Sequence, residues 1–467
     1  MGLTSNLLRR FGYDGADTSK QKRRAPTSAL TSEDRALTAK KRKILQSAAR
    51  DLSRNFSIAA WAIRKHLDFV SSFKFKSVTG DDGLDREIDR LMTWWSRPEN
   101  CDVAGRHGLG RMIRLAEERR TVDGDMFLVK LTGQRVRGKL QAIEGDRVVD
   151  PGSDSLSMPD TTWTHGVRVD KAGRAISYAI HRRGSGGTGF DLDRMVAARN
   201  VIHHGYFDRF DQVRGVSPLA PAVNAFRDVY ESFDYALAKA KVSQLFGLVL
   251  YRDALDSPGI LDTSDEEDIS VDFGAGPLML DLEPGARAEF IESKSPATEF
   301  QSFTQLMISV ALKSLDIPFS FFDESFTNFY GSRGALLHYQ KSCEPKRADV
   351  KDVLRRLTAW RLALFIEDGV LSLPAGVSLA DLKWEWIPAG LAWWDPAKEI
   401  RGDVEAIKAG LRTRSEIRAE RYGDDWLDVV DQLKREREAL DERGLLPVED
   451  AELSVANTDE GDDDDAD

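Results

Sequence analysis

The chain is short of cysteine and histidine and has no long apolar run, and each shortage removes a class of protein. Only Cys101 and Cys343 occur in 467 residues. Two thiols cannot build a disulfide framework or a cysteine zinc site, and both read most simply as reduced core residues of a cytosolic chain. No segment approaches the ~20 apolar residues a membrane-crossing helix requires; the best run, Phe246 to Tyr251, is strand-sized. The amino terminus lacks the apolar core of a signal peptide, so secretion is unsupported. Among seven histidines there is no HExxH and no two-histidine, one-carboxylate spacing, because His203 and His204 are adjacent rather than four apart. The phosphate loop of motor ATPases is missing, and the glycines at 105, 108 and 110 and at 184, 186, 187 and 189 form no GxGxxG after a strand. Ser71 to Lys74 matches SxxK formally but lacks its companion motifs. The residues name no catalytic, cofactor-binding or metal-binding group, and the chain is read as not an enzyme.

What is present is a charged, globular composition: 41% hydrophobic and 31% charged residues, with a mean hydropathy of −0.39. The length suits roughly two to four domains. The net charge of −11 hides a polarity, because residues 1–50 carry +8, residues 441–467 carry −11, and the middle carries −8. Like-charge blocks repel and resist collapse, so both ends read as solvated segments. The front, with Lys20, Lys22, Arg23, Arg24 and Lys40 to Lys43, is the one suited to meeting nucleic acid or an acidic partner.

Periodicity orders the rest. Apolar residues at helical intervals predict helices over Thr38 to Val70, Leu84 to Trp95 and Met112 to Val122. After Gly124 the pattern changes to short strands: Met126 to Leu131, Leu140 to Ile143, Gly166 to Val169 and Ile176 to Ile180. Ser217 to Phe246 is the strongest single signal, one long helix with Pro218 where a helix can begin. Turn-rich strands and the acidic cluster Asp262 to Asp268 follow, then a shorter helix from Phe300 to Leu315. The next pattern, Ala335 to Asp368, contains Pro345, which predicts either a kink near Glu344 or two separate helices. Two amphipathic stretches, Glu399 to Tyr422 and Trp426 to Arg443, precede the acidic end. The paired tryptophans Trp94 and Trp95, Trp384 and Trp386, and Trp393 and Trp394 suit either interior packing or anchoring between subunits.

Several short blocks then line up in order. Gly124-Asp125 precedes IEGDRV at Ile143 to Val148; GVRVDKAGRAISYAI spans Gly166 to Ile180; Val201-Ile202-His203 leads to Arg209, Gln212, Arg214, Gly215, Val216, Ser217, Pro218 and Leu219. Asn328 to Arg333, Asp395-Pro396-Ala397-Lys398-Glu399, and GLRTRSEIRAERYGDD from Gly410 to Asp425 complete the series. In this order the blocks resemble the lambda-type family of tailed-phage portal proteins over about residues 45–430, and QxRGxSPL leading into a long helix is the most specific of them. The chain departs from the family where Asn-Tyr-Ser-Ser usually precedes an Arg: here Asn328, Phe329, Tyr330, Gly331 and Ser332 precede Arg333, which keeps the interval and loses two hydroxyls.

The resemblance implies an α+β portal fold with wing, helical stem, small clip and helical crown, assembling as a ring of about twelve copies at one vertex of a virion capsid. Double-stranded DNA would pass through it without sequence specificity during packaging and ejection. A large terminase subunit, a head-tail connector protein and a major capsid or scaffolding protein would dock on it, with no membrane and no cofactor, after assembly in the bacterial cytoplasm. The expected division is a basic, largely disordered arm (1–44), wing (45–216), stem helix (217–246), clip (247–299), second stem helix (300–315), channel loop (316–334), long kinked helix with the remaining wing (335–395), crown (396–445) and acidic disordered tail (446–467). Arg227, Lys239 and Lys241 are candidates for the channel, or else pair with Asp228, Glu231 or Asp234 on the helix surface. Asn328, Tyr330 and Arg333 are expected either to touch DNA or to bridge adjacent subunits. The rival readings are a DNA-processing enzyme, such as a nuclease or terminase component, motivated by the acidic clusters and the basic arm, and a scaffolding or adaptor protein.

Overall fold

A computed structural model describes residues 32–152, 160–184, 189–245, 248–252, 286–290, 298–323, 329–390 and 396–445. Helices and antiparallel sheets are mixed in two compact units, one formed by Met1–Asp68 with Met112–Glu344, the other by Phe69–Arg111 with Pro345–Asp467.

The first unit is built around a strand buried over all but its last residue. Asp125–Lys130 is flanked on one side by Leu140–Glu144 and on the other by Val201–Gly205, both antiparallel. Covered on both faces, it reads as a continuous apolar run rather than an alternating one. A four-stranded meander of Thr161–Thr164, Val167–Asp170, Ala175–Arg183 and Phe190–Ala197 shares a core with it: Phe127, Val129, Ile143 and Val148 meet Val167, Tyr178, Ile180 and Val196. The sequence patterns miss Thr161–Thr164, Phe190–Ala197 and Val201–Gly205.

At the amino-terminal side the structure corrects the expected arm boundary at residue 44. A helix already spans Ala39–Asn55, with Thr38 capping it by accepting the Lys41 amide, and Leu37 is buried with Leu45, Val216 and Ala220. The basic run at 40–43 is therefore the first turn of a packed helix, and Arg42 points inward. Phe56 separates this helix from a second, Ser57–Val70. The long helix expected from Ser217 begins later: Ala220–Ala222 is a 3₁₀ turn and Val223–Leu245 is the helix proper. Its inner face, Phe226 and Val229, is buried, and Phe56 lies edge-on to Phe226 and Tyr230, with ring centroids 6.0 and 5.5 Å apart.

Strands Leu248–Arg252 and Ala286–Phe290 pair antiparallel, Leu248 opposite Phe290. The helix Thr298–Leu312 then returns to pack on Val223–Leu245 and ends in a 3₁₀ turn, Lys313–Leu315. A short helix at Phe319–Asp323 follows. The loop expected over 316–334 is thus partly helical, because a 39-residue helix starts at Phe329 and continues without a break through Pro345 to Glu367. Asn328 lies outside the described residues.

In the second unit, Phe73–Ser77 pairs antiparallel with Trp384–Pro388, beneath an amphipathic helix, Asp82–Trp95, capped by Asp81 on the amides of Gly83 and Leu84. The tryptophans divide here. Trp95 is fully buried against Trp360, 6.4 Å between rings, and Trp386 packs on Phe75 at 5.2 Å while donating its indole N–H to Thr358 Oγ1 at 3.1 Å. Trp94 is exposed; Trp393 and Trp394 lie outside the described residues. Three helices close the unit: Pro396–Lys408, Arg414–Tyr422 and Trp426–Asp441. The stretch expected as one helix from Glu399 to Tyr422 divides at Gly410, whose φ of 70° suits a glycine that ends a helix.

Candidate functional site

The motif blocks of the first unit converge on one buried carboxylate. Asp125, at the start of the central strand, accepts Arg214 Nε on Oδ2 at 2.6 Å and Arg214 Nη2 on Oδ1 at 3.0 Å. It also accepts Arg42 Nη2 at 2.6 Å, His203 Nε2 at 3.0 Å and the Gly215 amide at 3.0 Å. Arg214 spends its remaining donors on carbonyls: Val148 O and Gly145 O at 2.8 Å, and His165 O. Burial alone would raise the Asp125 carboxyl, but the two guanidiniums and the His203 bond hold it well below the usual carboxylate range. Burial and the facing Arg214 push Arg42 down to about 10, and burial keeps His203 neutral to a lower pH than usual despite its bond to Asp125.

Around this pair the backbone is packed as closely as glycine allows. Gly124 has φ +94°, and a Cβ there would lie 2.7 Å from the Gly215 carbonyl oxygen; one on Gly215 would overlap the Gly124 carbonyl oxygen. Gln212 fixes the approach, accepting the Asp208 and Arg209 amides and donating to Tyr206 O and Arg214 O. Ser217 donates to Thr121 O at 2.6 Å and accepts the Leu219 amide at 3.1 Å. Pro218 stands between them, where no amide hydrogen is required. QxRGxSPL is therefore a joint that fixes the root of the Val223–Leu245 helix to the sheet.

A second buried carboxylate supports the first. Glu117 is bonded to His204 at 2.8 Å, His66 at 3.3 Å, Arg120 at 3.2 Å and Tyr206 at 3.3 Å. Burial would raise its carboxyl, yet Arg120 and the two histidines hold it well below the ordinary value. Neither Glu117 nor Asp125 reaches solvent, and every oxygen of both is engaged inside the unit, so these are structural charges. Arg42, Glu117, His66 and Arg120 were not singled out from the sequence. Arg42 was hidden in a basic run that looks the same whether solvated or buried, and the others carry no local pattern.

The remaining sequence candidates fall elsewhere. Arg209 is at the surface, paired with Glu33 and Asp211 at 3.4 Å. On the Val223–Leu245 helix Arg227 is half-buried, and Lys239 and Lys241 are exposed; among the described residues Arg227 forms no ion pair with Asp228, Glu231 or Asp234. Tyr330 and Arg333 stand on the first turns of the 39-residue helix. In the second unit Pro396 is the first residue of its helix, and Glu399 forms an ion pair with Arg421 at 3.0 Å, joining two motif blocks; Lys398 lies one residue away, and Asp395 is outside the described residues. Arg418 pairs with Asp424 at 2.5 Å, and Gly423 closes the Arg414–Tyr422 helix at φ 65°.

The two helices Val223–Leu245 and Thr298–Leu312 expose what isolated helices bury. Tyr230, Phe233, Tyr235 and Leu237 on the first, and Phe303, Leu306 and Val310 on the second, are exposed, with Leu237 at 55% and Leu306 at 61%. Tyr230, Phe233 and Leu237, and likewise Phe303, Leu306 and Val310, recur at intervals of three and four, so each set forms a stripe. No helix among the described residues is long and apolar enough to cross a membrane.

Buried charges that only join elements, rooting a helix pair that exposes apolar side chains, are structural in role. In comparison with known proteins, the profile described as phage portal protein, lambda family, matches residues 19–347, and the chain belongs to that family. It is 24% identical over 380 residues to a probable portal protein of Halomonas phage phiHAP-1, covering 76% of this chain and 71% of that one. Among solved structures it is similar to chains in the neck of an empty GTA particle computed with C6 symmetry (TM-score 0.47, 16% identity, 79% of this chain and 92% of the other). It is likewise similar to chains in the neck of a native GTA particle computed with C12 symmetry (TM-score 0.45, 15% identity, 80% and 92%).

Proposed function

We propose that this portal protein closes into a ring of about twelve copies around a channel for duplex DNA, and that the paired helices Val223–Leu245 and Thr298–Leu312 form the channel stem. The observation that carries this reading is the exposed stripe of Tyr230, Phe233, Leu237, Phe303, Leu306 and Val310. Contiguous apolar surface of this kind marks an interface, and a helix pair repeated around an axis covers it with the next copy.

Size agrees with the cargo. Helices packed ~10 Å apart give about twelve copies a circumference of ~120 Å and, after one helix width, a bore of ~28 Å, against ~9 Å for about six copies. A duplex of roughly 20 Å passes the first and not the second. Charge agrees as well: an acidic body of −8 outside the two ends suits a conduit, since a protein that neutralised many phosphates would hold a moving strand. Arg227, Lys239 and Lys241 are then cations spaced along a surface that must not grip, with Tyr330 and Arg333 on the first turns of the 39-residue helix.

Strands Leu248–Arg252 and Ala286–Phe290 begin and end the clip, the face for the large terminase subunit during packaging and for the head-tail connector protein afterwards. The helices after Pro396 form the crown, towards the capsid interior. In this reading the chain performs no catalysis: Asp125 and Glu117, whose carboxyls are held well below the usual carboxylate range, face inward and are saturated by partners.

Negative-stain imaging and native mass spectrometry of the purified protein test the proposal. Rings with a central hole wide enough for duplex are expected. A stable monomer at high concentration under assembly conditions refutes the ring. Metal-dependent cleavage of plasmid DNA, abolished by changing a single carboxylate, supports the rival reading of a DNA-processing enzyme.

A further inference from the structure

The loop that leads to the stem joint is stiff, yet it holds an aromatic ring in water. Phe210 is 114% exposed, more open than in an extended reference peptide, and Phe207 beside it is exposed on one side. The loop is not slack. Gln212 makes four bonds across its base, Phe207 stacks edge-on to His203 at 5.2 Å, and Arg209 ties the loop to Glu33. A preorganised loop with a projecting aromatic residue has the form of a binding hot spot. Asp208 and Asp211 flank the ring, both exposed.

The amino-terminal arm leaves the described structure at this place. Ser32 precedes the short helix Glu33–Ala36, Glu33 pairs with the loop through Arg209, and Asp34 accepts the Val213 amide. Ahead of it lie Lys20, Lys22, Arg23 and Arg24, a cationic segment that complements an aromatic ring between two carboxylates. Seven residues containing Pro26 separate Arg24 from Ser32. A spacer of that length can span up to ~25 Å, enough to pass the chain's own loop, which begins within one side chain of Glu33, and reach the next copy.

We infer that the Phe210 loop is a docking site for the basic segment Lys20–Arg24 of an adjacent copy, so that each arm clasps its neighbour. The guanidiniums of Arg23 and Arg24 lie over the Phe210 ring, and Asp208 and Asp211 take the flanking charges. The inference rests on the ring reading above.

The test is disulfide trapping in the full-length assembled protein. With Cys101 and Cys343 buried, the double variant Arg24→Cys/Asp208→Cys under mild oxidation gives an interchain ladder on a denaturing gel. Neither single variant gives one. Adding Phe210→Ala lowers the yield about tenfold, the effect of a hot spot worth ~1.4 kcal/mol. Intact rings by negative stain with no cross-link overturn the docking site and leave the ring reading standing. A fast-migrating monomer with an internal disulfide overturns the adjacent copy as occupant. Absence of rings refutes both.

Discussion

Arg214 and Asp125 meet at 2.6 Å across 89 residues of chain, and neither side chain is reached by solvent. That contact joins the start of the central strand to the segment that leads into the Val223–Leu245 helix, and the three carbonyls Arg214 also engages bring in the turns before and after residue 148. Removing one member of a buried, hydrogen-bonded ion pair leaves the other charged and unpaired, which costs ~3–5 kcal/mol. Arg214→Ala is therefore expected to lower the stability of the first unit by about that amount, read as a fall in the urea midpoint with an unchanged slope. Arg214→Lys recovers little of it, because an ammonium cannot reach a carboxylate and three carbonyls from one fork. A wild-type midpoint in either variant disproves the joint.

Gly124 and Gly215 make a narrower claim, since each leaves room for the other's backbone. Gly215→Ala forces its methyl group into the Gly124 carbonyl, and Gly124→Ala adds a positive φ to a 2.7 Å overlap. Each is expected to cost at least ~2 kcal/mol, through strain rather than lost contacts. Gly110→Ala, where a Cβ meets nothing within 4 Å, serves as the control and should leave thermal unfolding where it is. Equal melting temperatures for all three proteins contradict the packing described here.

These motifs show what the sequence makes legible. Gly124-Asp125, the block around Gly145 and QxRGxSPL were visible as blocks because glycine, arginine and proline are demanded by local geometry. That they all close on one carboxylate was not visible, because nothing local in a chain says which distant residue a buried charge will face. Arg42 shows the same limit: among Lys40 to Lys43 it is the cation turned inward, and only the position of Asp125 decides that. The pairing of Phe73–Ser77 with Trp384–Pro388 is beyond sequence patterns for the same reason, whereas the long helices, whose hydrogen bonds and stripes are local, were read to within a few residues at most ends.

The histidine beside Asp125 predicts a pH dependence with a definite sign. Burial lowers the His203 pKa in the folded state, and its neighbours Arg42 and Arg214 act in the same direction against Asp125. The unfolded chain takes up its proton near pH 6.5 while the folded one does not, so stability is undiminished above about 6.5 and declines as the pH falls below it. Asp125 and Glu117, both held low, add their loss only at much more acidic pH. Urea midpoints measured from pH 7.5 to 5.5 should fall in the wild type and fall less in His203→Gln, which keeps a donor for Asp125. Parallel curves for the two proteins remove His203 as a source of the dependence.

The exposed stripe on the helices Val223–Leu245 and Thr298–Leu312 allows assembly to be tested apart from folding. Leu237 and Leu306 are exposed in the isolated subunit, whereas Val229, on the same helix as Leu237, is 1% exposed. If neighbouring copies cover the stripe, Leu237→Asp and Leu306→Asp each replace a side chain whose burial is worth ~1.5–3 kcal/mol with a charge that must be desolvated. The loss recurs at every contact around the ring, so rings should give way to free subunits, a change of more than tenfold in the assembled fraction by mass photometry. Helix content by circular dichroism should stay at the wild-type value, because the subunit already exposes both positions. Val229→Asp should instead unfold the first unit. Rings that persist in both exposed-site variants, with wild-type sedimentation, place the subunit interface on some other face.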